Sequence, residues 1–173
     1  MIVLECREPG LAETLIAERA ATGHPYDYEL GERYVMAPAP SIRHGQQAVR
    51  ISSALLQAGA NAAAPANLGR IDGPSGTRWY VVPDVVVLED DVPDATASLR
   101  ALVAIEVRSP REDRDRKLAE YREVMKRTGL VVEEVWYLSD GSWSVHPAAQ
   151  TASLPLQASE FSEWAKAVEA ATR

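Results

Sequence analysis

Apolar positions recur along this chain at two spacings, and the alternation between them lays out the elements. Spacings of three and four mark helices over 9–22, 41–58, 111–127 and 159–171. The second of these carries His44, Ala48, Ile51 and Leu55 on one stripe, with Ser41 placed as its N-cap. The third carries Leu118, Tyr121 and Met125, and Pro110 suits a helix start just before it. Runs of β-branched and aromatic residues mark strands over 28–36, 78–88, 101–108, 133–139 and 142–146. Asp140-Gly141 is a hairpin turn signal between the last two. The Ala37-Pro38-Ala39-Pro40 stretch breaks the chain, and 59–77 holds at most a short strand and a turn at Asp72-Gly73-Pro74. Strands and helices are interspersed, which predicts an α/β (α+β) domain; at 173 residues one domain, 1–173, accounts for the whole chain.

Two positions violate the apolar pattern. Asp84 lies inside Val81-Val82-Pro83-Asp84-Val85-Val86-Val87, and Glu106 inside Ala104-Ile105-Glu106-Val107. Desolvating an ionised carboxylate costs several kcal/mol unless a partner or a metal compensates. Strand alternation puts Val103, Ile105 and Val107 on one face and Ala104, Glu106 and Arg108 on the other, while Asp84 shares a face with Val82 and Val86. If the strands are neighbours and these faces coincide, the two carboxylates converge. Carboxylates with open positions suit a catalytic Mg2+ or Mn2+.

Lys117 flanks the third helix's apolar stripe, one turn before Tyr121. A helix folding back over the sheet would bring Lys117 near Glu106. A positive charge beside two negative ones is fit to position a water attacking phosphorus. Arg108, on the face of Glu106, either binds a phosphate or neutralises the carboxylates. His44 is either a hydrogen-bonded core residue or a supporting site residue, and Glu29 or Glu32 is placed to reach a metal through water. Asp113 either caps its helix, where an acid favours the dipole, or holds Lys117 in place. There is no glycine-rich phosphate loop, CxxC pair or HExxH.

These pieces in order, Pro83-Asp84, Glu106-Val107-Arg108-Ser109-Pro110, Asp113 to Tyr121 with Lys117-Leu118, and Val135-Trp136-Tyr137-Leu138-Ser139-Asp140, resemble the Uma-two family, a branch of the PD-(D/E)XK nuclease superfamily. Tyr28-Glu29-Leu30-Gly31-Glu32, Met36-Ala37-Pro38 and His44 fit the same family's first segment. The resemblance covers roughly residues 26 to 146. It implies a restriction-endonuclease-like core, a mixed central sheet flanked by helices. It implies that Asp84 and Glu106 bind metal, and that the catalytic lysine has migrated from the strand, where Arg108 now stands, to Lys117 on the helix. It implies DNA as substrate. Arg108, the short segment between Pro110 and Asp113, and residues 128 to 134 depart from the family's pattern. A scaffold without turnover, binding nucleic acid or a protein partner, is the alternative from another class.

Charge changes this picture in one place. A net charge of -7 argues against a general nucleic-acid coat. Residues 108–127 nevertheless hold eight Lys or Arg against five Asp or Glu, either a phosphate-facing patch or an ordinary solvated helix. The single Cys6 excludes an internal disulfide, and no segment is long and apolar enough for a signal peptide or a membrane span. The expectation is a soluble cytoplasmic protein. Nuclease folds of this size often dimerise, so a homodimer is expected by analogy.

Overall fold

The valine-rich segment that carries Asp84 does not remain in one sheet. In the computed structural model, which describes residues 2–5, 11–22, 28–31, 33–36, 41–70, 78–89, 99–108, 114–148 and 152–172, it divides at Val82-Pro83-Asp84 into two strands that belong to different sheets. Proline supplies the physical reason. It has no N–H to give to a ladder, so it is confined to edges, strand starts and breaks.

The first part of the chain forms β1 (Ile2–Glu5), α1 (Leu11–Ala21), β2 (Tyr28–Gly31), β3 (Arg33–Met36) and α2 (Ile42–Gln57). There follow β4 (Ala62–Ala63), β5 (Leu68–Arg70), β6 (Arg78–Val81), β7 (Val85–Val87) and β8 (Arg100–Val107). The last part holds α3 (Arg114–Thr128), β9 (Val131–Ser139), β10 (Ser142–Pro147), a 3-10 turn at Leu156–Ala158 and α4 (Ser162–Thr172). One sheet has the order β1-β3-β2-β6-β5 and is antiparallel throughout. The other has the order β10-β9-β8-β7-β4 and is mixed, because β8 and β9 run parallel on either side of α3 while the remaining pairs are antiparallel.

The mixed sheet is packed on both faces. Leu118, Tyr121 and Val124 of α3 cover Val86, Ala104 and Val135 on one side. On the other, Ile51 and Leu55 of α2 and Ala165 and Val168 of α4 cover Val85, Val103, Ile105, Trp136 and Leu138. The two faces of β8 are thus divided as alternation dictates, with Val103, Ile105 and Val107 toward α2 and α4 and Ala104 toward α3.

Several expectations are corrected here. The single strand expected over 28–36 is a hairpin, β2 paired with β3 from Tyr28↔Val35 to Leu30↔Arg33. The strand expected over 78–88 is β6 and β7. Within the stretch 59–77, where at most one short strand was expected, the described residues 59–70 hold two, and the Asp72-Gly73-Pro74 turn lies outside the described residues. Other signals hold. Ser41 caps α2, its Oγ accepting from the His44 N–H at 3.1 Å. Asp140 and Gly141 take φ of 51° and 77°, the left-handed pair that a two-residue hairpin needs. Gly69 on β5 is obligatory for a different reason: a Cβ there would lie 2.2 Å from the Trp79 carbonyl oxygen of the paired strand.

Candidate active site

Four elements meet at one end of the mixed sheet. β7 and β8 are antiparallel with Val85 opposite Ile105 and Val86 opposite Ala104, so one further step sets Asp84 at the level of Glu106. Asp84 has already left the ladder at the bend after Pro83. Its carboxylate is therefore positioned by hydrogen bonds rather than by strand geometry. Oδ2 accepts from the Val107 backbone N–H at 2.7 Å, and Oδ1 lies 2.8 Å from Nε2 of His44. An ionised carboxylate only accepts, so Nε2 is the donor. The ring comes from the first turn of α2, where the cap at Ser41 starts the helix, and its side chain is only 13% exposed.

Glu106 stays in its strand and is buried, 3% exposed. Tyr121 donates its hydroxyl proton to Oε1 at 2.6 Å, and Nζ of Lys117 lies 3.4 Å from the same oxygen. Lys117 and Tyr121 are four residues apart on α3, so the helix presents both to one point on β8. Lys117, flanking the apolar stripe of α3, is buried. A lysine ammonium is hardly ever enclosed without a carboxylate beside it. Glu106 is that carboxylate.

Among the residues singled out in the sequence, the structure thus brings together His44 with Asp84 and Lys117 with Glu106. Arg108 is engaged elsewhere. It is exposed, and its Nη1 donates to Ser139 Oγ at 3.1 Å and Asp140 Oδ2 at 2.5 Å at the β9–β10 turn. Glu29 lies on β2 opposite Tyr34, but its side chain, like Glu32 and Asp113, falls outside the described residues. Among the described residues no group of three or more His, Cys, Asp and Glu is arranged to hold a metal. The site offers two carboxylates.

Sequence reasoning took Tyr121 only as a core residue, and its bond to Glu106 was not foreseen. It also passed over Glu134, a carboxylate as buried as Glu106. Glu134 accepts from Trp136 Nε1 and Ser159 Oγ, each at 2.6 Å, and from the Glu160 N–H at 3.0 Å. Its work is structural, fastening the segment that enters α4 to β9. The signal was present: Glu134 shares strand parity with Trp136 and Leu138.

A mixed sheet covered by helices on both faces, with a strand carboxylate met by a lysine from the following helix, is the arrangement that the resemblance to restriction-endonuclease-like proteins implies. The chain belongs to the Uma2 family, whose model, described as "Putative restriction endonuclease", matches residues 12–166. It is similar in fold to the crystal structure of "a putative nuclease belonging to DUF820" from Anabaena variabilis, with a TM-score of 0.56 and 17% identity over 85% of this chain and 91% of that one. No curated protein matches. Among the described residues no helix is long and apolar enough to cross a membrane.

Proposed function

We propose that this protein is a divalent-metal-dependent endonuclease that hydrolyses DNA phosphodiester bonds. The observation that carries the reading is the buried Lys117–Glu106 pair, with Asp84 at the level of Glu106 on the neighbouring strand's end. A buried ion pair is seldom the most stable way to fill such a place, since apolar residues of similar volume often do better. Such a pair at a sheet end beside a second carboxylate is what a phosphoryl-transfer site needs.

The donor set fits Mg2+ or Mn2+. Each carboxylate offers about four lone-pair positions, and at Asp84 the bonds from His44 and the Val107 N–H take two of them. Asp84 and Glu106 would hold the ion, with water and a phosphate oxygen completing its shell. A bound ion would supply Lewis-acid polarisation of the phosphate and a more acidic water.

The protein's own groups have separate tasks. Tyr121 fixes the orientation of Glu106, while His44 and the Val107 N–H fix Asp84. Lys117 Nζ orients the attacking water and faces the charge that grows on the phosphate oxygens. Enclosure by α3 keeps bulk water from screening that charge.

Incubation of supercoiled plasmid with the protein and Mg2+ or Mn2+ tests this directly. Nicked and linear DNA should appear, and should fail to appear with Asp84→Ala or Glu106→Ala. A wild-type protein that cleaves no DNA with any divalent metal would overturn the reading. If such a protein still bound metal and DNA, the binding scaffold would take its place.

A further inference from the structure

A cleft of about 190 Å³ lies between α3 and the edge strand β10, away from the carboxylates but sharing one side chain with them. Its floor is apolar and mostly buried, from Leu118, Val132 and Val135 with Met125 beside them. Arg122 and His146 complete the lining, and Arg122 is exposed. Strand alternation accounts for the layout. Val145 packs toward α4, so its neighbours Ser144 and His146 face α3, with Ser144 Oγ and His146 Nε2 3.0 Å apart. Tyr121 belongs to both places. It lines the cleft, and its hydroxyl holds Glu106 Oε1 at 2.6 Å.

The charge around this apolar hollow is positive in an acidic chain. Burial first, then the guanidinium groups of Arg114 and Arg122, hold the His146 pKa below its ordinary 6.5, and Asp115 alone opposes them. A neutral imidazole and one exposed arginine therefore stand over an apolar floor. The occupant that matches is a flat, weakly polar ring carrying an anionic group. The volume is short of the ~300 Å³ of a drug-sized pocket, so it takes one ring system.

We propose that this cleft is a subsite for one nucleotide of the substrate strand, with its base on the Leu118–Met125–Val135 floor and its phosphate at Arg122. The inference rests on the nuclease reading for its choice of occupant: Tyr121 puts whatever sits here one side chain from Glu106, where the strand must pass. Bases held out of a duplex are commonly gripped between apolar side chains in this way.

The test uses equilibrium binding alone, so it does not depend on turnover. The affinity of the full-length protein for a fluorescent single-stranded oligonucleotide and for a deoxynucleoside monophosphate is measured without divalent metal. Three variants are compared: Arg122→Gln, Met125→Trp, which fills the cleft, and Lys126→Gln as an equal charge change on an exposed neighbour. Arg122→Gln and Met125→Trp should each weaken both ligands about tenfold, and Lys126→Gln less than twofold. Arg122 is exposed, so its variant folds even if Met125→Trp does not. Unchanged affinities in Arg122→Gln, or an equal loss in Lys126→Gln, would overturn the proposal. So would loss of the monophosphate with the oligonucleotide unaffected, which would make the cleft a free-nucleotide site. If wild-type protein cleaves nothing while these losses are observed, the nuclease reading fails and the subsite stands.

Discussion

Nζ of Lys117 lies 3.4 Å from Oε1 of Glu106, with the two side chains 9% and 3% exposed, so a charge pair is enclosed between a helix and a strand. Each partner depends on the other. Removing one leaves the other as an uncompensated buried charge, typically a loss of about 3–5 kcal/mol, whereas neutralising both costs far less.

Lys117→Met should therefore lower the melting temperature sharply, and adding Glu106→Gln should restore most of the loss. A double-mutant cycle by chemical denaturation measures the coupling. DNA cleavage should be absent in Lys117→Met, in Glu106→Gln and in the double variant. If Lys117→Met is as stable as wild type, the pair is not enclosed as described.

The His44 imidazole is a positioning group for Asp84, and metal binding should show it. Added Mn2+ should raise the melting temperature of the wild type, since a ligand at 100 times its Kd adds about 2.7 kcal/mol. His44→Ala should weaken apparent metal affinity about 10- to 100-fold, the usual cost of losing an outer hydrogen bond to a ligand. Asp84→Ala should remove the effect. Thermal-shift titration reads all three proteins, and equal affinity in His44→Ala and wild type would remove His44 from the site.

His146 sets a pH dependence whose sign follows from its environment. Burial, followed by Arg114 and Arg122, lowers its pKa below 6.5. Above that pH the ring is neutral in the folded and unfolded chains alike. As pH falls through 6.5 the unfolded chain takes a proton that the folded one refuses, so stability is present above 6.5 and declines below it until the folded pKa is reached. Melting temperature should fall between pH 7.5 and 5.5, and His146→Gln should flatten that fall. An identical slope in the variant would show that other groups account for it.

How far the sequence revealed this molecule depends on whether a signal was local. The Ser41 cap and the Asp140-Gly141 turn need only adjacent residues, and both formed where expected. The parity of β8 was legible because valine and isoleucine alternate with a single acid. Pro83 was visible too, yet whether a proline ends a strand or sends the chain into another sheet depends on partners distant in sequence, here β2 and β5 for β6, and β4 and β8 for β7. Arg108 shows the same limit. Its parity matched Glu106, but it lies just past the end of β8, and Asp140 draws the guanidinium to the neighbouring turn. For Glu134 only the parity with its donor Trp136 was legible, because its other two donors, Ser159 and Glu160, come from a segment that no periodicity connects to β9.

Asp84 belongs to neither sheet but to the three-residue link between β6 and β7, whereas Glu106 is anchored inside β8. An ion shared by these two residues would act as a rivet through the joint between the sheets. Its grip would then gauge how the antiparallel sheet is seated against the mixed one. Substitutions in β2, β5 or β6, remote from any chemistry, would be felt first as a slackening of that rivet, before any loss of the helices or strands themselves.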